Sequence, residues 1–480
     1  MSKIVGREAA CSILLLMVAW AIAAPAQTFS VLANFDGANG SGPLGSLVQG
    51  TDGNFYGTTF LGGANGFGTI FQITPGGLLT NLYSFCSQTN CADGAAPYAE
   101  LALGSDGNFY GTTSQEGAGS GGTVFKVTPE GALTTLYSFC SQANCADGSS
   151  PAAGVTLASN GLFYGTTFYG GLRKGKCAST GCGTVFKITP EGKLTTIHEF
   201  CAQEGCADGF APTSVIQGTT GDFYGTASSG GNSSDDGMIF KITPGGKFTT
   251  LFYFDGTDGK DPYAGLIEGL KGKFDGTAHY GGGHGAGAVY QILPGGTEKT
   301  VYNFCALSGC ADGSYPYGEL VEDTNLNVYS TTYFGGANNL GTVFELGLDV
   351  FNLTTLHSFD GADGSNPEAG LLLATDGIFY GSTSLGGSSG NGTLFSLSTG
   401  LAPFVSFVFP AGKAGQTSEI LGQGFTGATS VSFNRIDAKF NVVSDTYLTA
   451  TVPAGATTGY VTVTTPTGVL TSNVPFHEIP

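Results

Sequence analysis

The chain has 480 residues and a formal net charge of −19, and only 11% of its residues are charged. Because an acidic surface repels phosphate backbones and anionic headgroups, we expect no nucleic acid partner. Glycine supplies 81 residues without a three-residue period, which excludes collagen, and an aromatic content of 12% is too high for a disordered chain. The composition favours turns that join many aromatic β-strands.

Residues 1–26 have the pattern of a secretory signal peptide. Lys3 and Arg7 precede an apolar run from Ala9 to Ala23, and Ala24-Pro25-Ala26 forms a small-residue cleavage site before Gln27. The apolar run is short for a membrane span, and no later stretch is apolar enough to cross a bilayer. The sequence therefore predicts an exported protein, secreted or at the cell surface, with no membrane span after cleavage.

One motif, Phe-Tyr-Gly-Thr, recurs along most of the chain. Copies begin at Phe55, Phe109, Phe163, Phe223 and Phe379, and two altered copies begin at Phe274 and Val328. They lie roughly 50 to 60 residues apart, and repeats of about this length built from strands are typical of β-propeller blades. Each unit contains four strand-like runs bounded by Gly, Pro, Asp or Asn. Seven copies therefore predict seven blades.

The two ends of the repeat array complement each other. The last unit stops near Gly400 without its fourth run, and an isolated run of that type, Thr28–Asp36, precedes the first unit. An N-terminal strand that completes the last blade would close the ring and remove an exposed sheet edge. For residues 27–400 we therefore predict a seven-bladed β-propeller closed by an outermost N-terminal strand.

The composition changes near Leu401, where the glycine-rich repeat gives way to Val, Thr and Ser. Five later runs alternate apolar and polar residues, as half-buried strands do. These runs are Ile420–Phe425, Ser430–Phe433, Ala438–Val443, Tyr447–Val452 and Tyr460–Thr464. So many short strands suit a small sandwich. We predict an immunoglobulin-like β-sandwich at residues 401–480, which makes the whole chain all-β.

Ten of the eleven cysteines lie in C-x4-C pairs. The pairs are Cys86/Cys91, Cys140/Cys145, Cys177/Cys182, Cys201/Cys206 and Cys305/Cys310. In an exported protein they predict five local disulfides. Zinc is the alternative, but it needs two pairs brought together, and we expect equivalent loops of neighbouring units to point outward at separate places.

Both segments resemble known families. The unit D-G-N-F-Y-G-T-T, followed by G-T-V-F-K and L-T-T-L-Y-S-F, resembles the GloVer (Gloeo/Verruco) tandem repeat of exported bacterial proteins over roughly residues 28–400. The tail, with Gly422-Gln423-Gly424-Phe425 and Thr449–Gly455, resembles an IPT/TIG domain, an immunoglobulin-like module. The resemblance implies an extracellular surface protein in which the IPT/TIG domain is an interaction or spacer module. Neither family supplies catalytic residues.

Candidate catalytic residues lie where the motif fails. In the fifth unit Asp275 takes the tyrosine position and is followed by His279 and His284, a set that would suit a metal or acid–base site. Glu268 and Glu322 fall at equivalent points of neighbouring first strands, where a carboxylate pair of suitable separation would serve sugar chemistry. The alternatives are a decayed repeat with a solvated loop and a packed strand position.

Two loops without cysteines present paired carboxylates. One loop contains Asp255 and Asp258, and the other contains Asp360 and Asp363. Carboxylates that lie close together are calcium ligands, whereas Asp-Gly sequences also form turns without an ion. Calcium at these loops is an open alternative, and no other cofactor is expected.

Two functions fit these observations. The regular array and the absence of a catalytic signature favour a non-enzymatic exported scaffold that binds a glycan or a surface protein. The alternative is a propeller-type carbohydrate-active enzyme, a lyase or a hydrolase, that uses the carboxylates and histidines named above.

Overall fold

The computed structural model describes residues 27–269 and 272–479, and the predicted signal peptide therefore lies outside the described residues. Antiparallel sheets, six of four strands and one of five, follow one another between residues 28 and 398, and two four-stranded sheets and one two-stranded sheet follow after residue 405. Within the described residues, no helix is long and apolar enough to span a membrane. The chain is thus all-β, as predicted.

The first strand, β1 (Thr28–Asn34), precedes three sheets that follow the repeat units in order. Sheet 1 contains β2 (Val48–Gln49), β3 (Phe55–Thr59), β4 (Thr69–Ile73) and β5 (Leu79–Ser84). Sheet 2 contains β6 (Ala102–Leu103), β7 (Phe109–Thr113), β8 (Thr123–Val127) and β9 (Leu133–Ser138). Sheet 3 contains β10 (Thr156–Leu157), β11 (Phe163–Thr167), β12 (Thr184–Ile188) and β13 (Leu194–Glu199).

Four further sheets continue the array. Sheet 4 contains β14 (Phe210–Gln217), β15 (Phe223–Ser229), β16 (Met238–Ile242) and β17 (Phe248–Tyr253). Sheet 5 contains β18 (Ile267–Glu268), β19 (Phe274–Ala278), β20 (Ala288–Ile292) and β21 (Glu298–Asn303). Sheet 6 contains β22 (Ser314–Pro316), β23 (Val321–Glu322), β24 (Asn327–Phe334), β25 (Thr342–Gly347) and β26 (Asn352–Ser358). Sheet 7 contains β27 (Leu372–Leu373), β28 (Ile378–Thr383), β29 (Thr393–Ser398) and β1.

β1 completes sheet 7. It pairs antiparallel with β29, from Thr28 opposite Ser398 to Asn34 opposite Thr393, with a register shift after Val31. The outer strand pair of each of sheets 1–6 contains a register shift as well. β1 therefore has the geometry of a fourth strand, and it covers an edge that would otherwise present unpaired backbone groups.

The repeated motif is buried because its residues make the contacts between sheets. In sheet 2 the Tyr110 ring lies 4.0 Å from the Phe163 ring of sheet 3, and its hydroxyl donates to Asp106 Oδ2 at 2.9 Å. A Cβ on Gly111 would lie 2.6 Å from the Phe125 ring, so a side chain at this position would displace that ring. The alternation of large and small residues in the motif is thus a packing requirement.

The tyrosine–phenylalanine contact joins six of the seven pairs of neighbouring sheets. Ring centroids are 3.9 to 4.3 Å apart in Tyr56–Phe109, Tyr110–Phe163, Tyr164–Phe223, Tyr224–Phe274, Tyr329–Phe379 and Tyr380–Phe55. The last of these contacts joins sheet 7 to sheet 1. Between sheets 5 and 6 the two positions hold Asp275 and Val328.

The threonines that end the motif pair their buried hydroxyl groups. Thr112 Oγ1 donates at 2.8 Å to Ala153 O in the loop that leads to sheet 3, and Thr113 Oγ1 lies 2.9 Å from Thr123 Oγ1 on the neighbouring strand. A buried hydroxyl without a partner would destabilise the sheet. The motif therefore supplies polar as well as apolar contacts between units.

Four of the loops that join the sheets are held by a fully buried aspartate: Asp93, Asp147, Asp208 and Asp312. Between sheets 2 and 3, Asp147 is 0% exposed and accepts hydrogen bonds from the Tyr137 hydroxyl and from the N–H groups of Ser141 and Gln142. Short 3-10 helices lie in these loops and in one loop of sheet 3: Thr89–Cys91, Ala143–Cys145, Gly175–Cys177, Glu204–Cys206 and Ser308–Cys310. The aspartate of the repeated Asp-Gly is therefore an internal acceptor as well as a turn former.

Ten short strands follow sheet 7. They are β30 (Ser406–Phe407), β31 (Ala411–Gly412), β32 (Thr417–Leu421), β33 (Ser430–Phe433), β34 (Ile436–Asp437), β35 (Phe440–Val442), β36 (Tyr447–Thr451), β37 (Val461–Thr465), β38 (Gly468–Thr471) and β39 (His477–Glu478). Two antiparallel sheets have the orders β30-β32-β36-β35 and β34-β33-β37-β38, and both contribute to one buried core. β32 spans Thr417–Leu421, so the predicted strand Ile420–Phe425 is displaced by three to four residues toward the C-terminus.

The two ends of sheets 1–7 carry different connections. We call the end with the tight turns after the first and third strands the hairpin face, and the end with the remaining loops the loop face. Leu421 packs with Leu101 and Leu103 in one cluster, and Thr446 Oγ1 donates to Thr51 O at 2.8 Å. The C-terminal strands therefore cover part of the hairpin face. Apolar side chains of the loop face stay exposed, as do some on the outer turns of the hairpin face, such as Leu78 and Val350.

Candidate functional site

A rim of large apolar side chains surrounds the loop face. Each of its residues directly precedes the paired glycines in the loop between the second and third strands of the repeat unit. We define the rim as Leu61, Tyr169, Tyr280, Phe334 and Leu385. These side chains are 36% to 49% exposed. Apolar side chains gathered on one exposed face are typical of a binding surface.

Tight turns present the rim residues. Gly62 has a φ of +80°, and a Cβ on it would lie 2.6 Å from Gly37 O, so both its conformation and its neighbour exclude a side chain. The preceding residue, Leu61, exchanges backbone hydrogen bonds with Ser41 at 2.9 and 3.0 Å. The backbone of the rim is therefore fixed before any ligand arrives.

Three half-buried tyrosines lie inside the rim. Tyr98, Tyr263 and Tyr317 each follow the proline of a loop that joins two sheets. The hydroxyls of Tyr98 and Tyr317 lie 2.8 Å apart although sheets 2 and 6 are not neighbours, and the rings of Tyr263 and Tyr317 are stacked 5.4 Å apart. Glu368 holds the equivalent position in sheet 7. We call these four residues the mouth.

Two glutamates lie two residues beyond mouth tyrosines. The carboxyl group of Glu319 occupies the space left by Gly265, whose N–H donates to it, and Glu100 lies against Gly154. Burial raises the pKa of both carboxyl groups, and the charge of Glu100 raises the pKa of Glu319 further. Because desolvation and repulsion both disfavour the charged forms, this pair would be stabilised by a nearby cation or a proton.

His279 belongs to the loop face. Its Nδ1 lies 3.1 Å from Pro316 O, its ring packs 5.0 Å from the Tyr317 ring, and burial lowers its pKa to about 4, so the ring is neutral and donates to the carbonyl. His284 is exposed. Asp275 lies on β19 and His279 directly follows that strand, so at ~3.3 Å per residue the two are about 13 Å apart. The structure therefore does not bring Asp275 and the two histidines together.

A cavity of about 1200 Å³ lies at the hairpin face between the sheets and the C-terminal strands. It touches the first strand of every sheet from 1 to 7. The contacting residues include Gln49, Leu103, Leu157, Gln217, Glu268, Glu322 and Leu373. Phe407 and His477 line it from the C-terminal side. Glu268 and Glu322 thus lie on the opposite face from the mouth.

Glu268 holds the neighbouring turn. Its two oxygens accept hydrogen bonds from the N–H and the hydroxyl of Thr219 at 2.7 and 2.8 Å. Gln217 makes the equivalent contact one sheet earlier, where its Oε1 accepts from the Ser159 N–H at 2.8 Å. The contacts of Glu268 are therefore structural, and the carboxylate pair of Glu268 and Glu322 stays a prediction.

Asp275 lies beside Glu322. Asp275 Oδ2 and Glu322 Oε2 each lie 3.0 Å from the point that a Cβ on Gly269 would take, so the two oxygens are separated by at most twice that distance. Asp275 is 1% exposed, its Oδ1 accepts from Gln291 Nε2 at 2.8 Å, and its Oδ2 accepts nothing from the described residues. Burial raises the pKa of Asp275 to about 6, and burial with the charges of Asp275 and Asp323 raises that of Glu322 to about 7.

The calcium candidates serve as acceptors in turns. Asp255 Oδ1 accepts from the N–H and the hydroxyl of Thr257 at 2.9 and 2.6 Å, and Asp258 Oδ1 accepts from the Asp255 N–H at 3.1 Å. Asp360 and Asp363 form the equivalent turn of sheet 7. These hydrogen bonds account for the four aspartates without an ion, and calcium at these loops stays a prediction.

All five C-x4-C pairs form disulfides, as predicted. The Cys177–Cys182 disulfide, however, lies where we did not expect it. Cys177 is 3% exposed and Cys182 is 0% exposed, so the expectation that this pair points outward at a separate place is wrong. The physical reason is that the long loop of sheet 3 folds back over the loop that joins sheets 3 and 4, and this contact covers the disulfide.

Two disulfides meet where these loops pack together. The sulfur atoms of Cys177, Cys201 and Cys206 lie within 4.8 Å of one another, whereas Cys182 is not part of this group. Because each of the four cysteines is joined to its partner in a disulfide, none offers the thiolate that zinc binds. The contact therefore serves the packing of the long loop.

Comparison with known families supports this organisation. The model of the Gloeobacter/Verrucomicrobia repeat matches residues 18–214, 144–318 and 211–428. The chain belongs to this repeat family. An IPT/TIG domain model matches residues 403–477, which include the strands that cover the hairpin face. No curated protein sequence matches the chain.

Solved structures with a similar fold have very different sequences. A fungal alcohol oxidase of the AA5 family, solved in complex with copper, is 13% identical over 94% of this chain and 98% of its own, with a TM-score of 0.50. The extracellular domain of BT4673 from B. thetaiotaomicron is 10% identical over 95% of this chain, with a TM-score of 0.50, and this chain spans 58% of that one. At these identities the likeness concerns the fold alone.

The mouth and the two glutamates beneath it were missed by the sequence analysis. They lie one and three residues after the proline of each loop, at positions where the residue differs from unit to unit. Alignment of the seven units would have shown that Tyr98, Tyr317, Glu100 and Glu319 share two positions. That Tyr98 and Tyr317 meet requires the arrangement of the sheets.

Proposed function

We propose that this protein is an exported binding scaffold. Residues 27–400 form a seven-bladed β-propeller closed by its N-terminal strand, and residues 401–480 form an immunoglobulin-like β-sandwich of the IPT/TIG type. Three observations support the propeller: β1 pairs with β29, Tyr380 contacts Phe55, and one cavity touches the first strand of every sheet. The five disulfides and the signal sequence of residues 1–26 support a place outside the cell.

The ligand is a glycan bound at the loop face, and the rim is the observation that carries this proposal. Five apolar side chains of the rim are 36% to 49% exposed around a centre of tyrosines, whereas the C-terminal strands cover part of the hairpin face. Ligand sites are concave, largely apolar and lined with few oriented polar groups. The rim supplies the apolar surface, and the mouth supplies hydroxyl and carboxyl groups.

A glycan fits this combination better than a protein surface. A sugar ring has an apolar C–H face and a hydroxyl-bearing edge. A tyrosine offers the complementary pair, a flat apolar ring and a hydroxyl group at its tip. The net charge of −19 and the carboxyl groups at the mouth disfavour anionic polysaccharides.

The carbohydrate-active enzyme is the weaker proposal because its candidate residues lie on two faces. His279 and His284 belong to the loop face, whereas Glu268, Asp275 and Glu322 lie at the hairpin face. Asp275 Oδ2 is enclosed by protein and beyond the reach of a sugar carbon, and Glu268 is engaged with Thr219. We therefore propose binding without catalysis.

The test is native electrophoresis through gels that contain a polysaccharide. Neutral xylan, mannan and β-glucan form one set, and anionic alginate and polygalacturonate form the other. We expect at least one neutral polymer to retard the wild-type protein, and Tyr169→Ala and Tyr280→Ala to migrate without retardation at an unchanged Tm.

Leu78→Ala is the matched control, because Leu78 is 69% exposed on a hairpin-face turn. This variant should be retarded like the wild type. Retardation of the two rim variants as strongly as of Leu78→Ala overturns the proposal, as does a wild type that binds neither these polymers nor the sugar oligomers tested below.

A further inference from the structure

The mouth is surrounded by carboxyl groups that lack basic partners. Glu368 belongs to the mouth, Asp261 precedes the loop proline beside Tyr263, and Glu100 and Glu319 lie beneath the tyrosines. Within residues 27–269 and 272–479, none of these four groups takes part in an ion pair. Lys260, the residue before Asp261, is paired with Asp236, and its charge only partly offsets the burial that raises the pKa of Asp261. A cleft with one sign of charge focuses the field on an incoming cation.

The protonation of these groups agrees with their surroundings. Burial raises the pKa of Glu100, Glu319 and Glu368, and it raises the pKa of Asp261 to about 6. Each group is therefore held in a place where its charged form is poorly solvated. A cationic ligand at the mouth would stabilise the charged forms and would gain binding energy from them.

The tyrosines offer a second source of attraction for a cation. The Tyr263 and Tyr317 rings are stacked at 5.4 Å, with His279 packed edge-on against both. Because burial lowers the pKa of His279 to about 4 despite its hydrogen bond to Pro316 O, the ring is neutral and does not repel a positive charge. The face of a tyrosine ring attracts an ammonium group, most strongly where water is displaced.

We infer that the mouth recognises the protonated amino group of an amino sugar, so that the glycan class is a glucosamine-type oligomer or polymer. This inference rests on the proposed function. The apolar rim covers the faces of the sugar rings, and the mouth receives one ammonium group between Glu368 and the tyrosine rings. A bare metal ion would use the carboxylates and leave the rim without a role, whereas an amino sugar uses both.

The experiment compares two hexamers that differ mainly in charge: hexaglucosamine and hexa-N-acetylglucosamine. Each is titrated into the full-length mature protein by calorimetry, at a pH at which the amines are protonated. We expect hexaglucosamine to bind at least about tenfold more tightly, since a charge-assisted hydrogen bond is worth at least that much. Glu368→Gln should remove most of this difference and leave hexa-N-acetylglucosamine unaffected.

Glu130→Gln is the matched control for the overall negative charge, because Glu130 is exposed on a hairpin-face turn and its loss changes the net charge equally. It should bind both hexamers like the wild type. If Glu130→Gln weakens hexaglucosamine binding as much as Glu368→Gln does, the attraction is delocalised and the inference is overturned.

Failure of the inference and failure of the proposed function give different results. Equal affinity for the two hexamers overturns the amino-group inference and leaves glycan binding intact. Retardation by a neutral polysaccharide without binding of either hexamer does the same. If neither hexamer binds and no polysaccharide retards the protein, both the inference and the proposed function are overturned.

Discussion

The junction between sheets 2 and 3 and the junction between sheets 5 and 6 solve the same packing problem differently. In the first, Tyr110 stacks on Phe163 at 4.0 Å and donates to Asp106. In the second, Asp275 and Val328 stand at those positions, and both are buried. Val328 joins an apolar cluster with Leu320 and Leu346, and Asp275 turns to Gln291. One junction can therefore lose its aromatic pair while the others retain theirs.

This difference separates positions that repeat from positions that vary. In an array whose units contact their neighbours, stability is close to a sum of unit and interface contributions. The repeated tyrosine and phenylalanine contribute at every intact interface, so their role is structural. Residues at variable positions, such as Tyr280 of the rim and Tyr317 of the mouth, are freed from that role and are the ones that we assign to binding.

Removal of β1 should destabilise the protein most, because β1 completes sheet 7 by pairing with β29. A protein without residues 27–36 exposes the edge of β29 and loses the rings of Phe29 and Phe35, and we expect it to aggregate or to lose its cooperative unfolding transition in calorimetry. A peptide of residues 27–36 added in trans should restore the transition. An unfolding transition at the wild-type Tm without the peptide would contradict the role assigned to β1.

The second-largest effect should be the difference in unfolding free energy between Tyr110→Ala and Asp275→Ala, which change the two junctions. Tyr110→Ala removes a fully buried ring and should lower the free energy of unfolding by about 3–5 kcal/mol. Asp275→Ala removes a buried carboxyl group that repels Glu322, and it should change this free energy by less than about 1 kcal/mol at neutral pH. Urea unfolding measures both. Equal losses of unfolding free energy would show that the junction between sheets 5 and 6 depends on Asp275 as the others depend on tyrosine.

The pH dependence of stability should distinguish Asp275 from the repeated tyrosine. Its folded pKa is about 6, above the unfolded value of about 3.9, so the folded protein binds the proton more tightly. Its contribution is most favourable below about pH 4 and is lost as the pH rises through about 6, by roughly 3 kcal/mol in all. Relative to the wild type, Asp275→Asn should therefore gain stability between pH 4 and 7. A difference between the two proteins that is independent of pH would contradict this assignment.

The smallest predicted effect concerns the acceptor of the tyrosine hydroxyl. Asp106→Ala leaves the Tyr110 hydroxyl and the Asn108 N–H without their acceptor and should cost about 1–2 kcal/mol in urea unfolding. Asp437→Ala, at an exposed position of the C-terminal strands, is the control and should stay within about 0.5 kcal/mol of the wild type. A cost at Asp106 no larger than at Asp437 would mean that the stacked ring alone holds the junction.

Much of the fold was predictable because repeated residues must make repeated contacts. The spacing of Phe-Tyr-Gly-Thr predicts the units, and the missing run after Gly400 predicts a partner for Thr28–Asp36, which is the pairing found between β1 and β29. The boundary at Phe425 was wrong because local alternation continues past Leu421, where the chain already turns.

The placement of the Cys177–Cys182 disulfide shows where the repeat stops being a guide. Its C-x4-C spacing predicts the bond correctly, and the bond is found. The predicted outward position of the disulfide is wrong, since Cys182 is 0% exposed. The loop that carries it is longer in the third unit than in the others, and it folds onto the neighbouring loop. An insertion that occurs in one unit has no equivalent elsewhere in the chain from which its direction could be inferred.

The candidate site was less predictable because it depends on contacts between distant units. Glu268 and Glu322 occupy equivalent positions, which suggests a pair, but the sequence does not show that Glu268 holds the turn of the preceding sheet or that Asp275 lies beside Glu322. Tyr98 and Tyr317 are 219 residues apart and belong to sheets that are not neighbours. Periodicity in one sequence does not reveal which side chains meet across the middle of a ring.

The most direct test compares a varying tyrosine with a repeated one in a single protein series. Retardation by a neutral polysaccharide and Tm are measured together for the wild type, Tyr280→Ala and Tyr110→Phe. We predict that Tyr280→Ala loses retardation at the wild-type Tm, and that Tyr110→Phe has a lower Tm and unchanged retardation. Loss of retardation in Tyr110→Phe with full retardation of Tyr280→Ala would contradict the division between structural repeats and a binding rim.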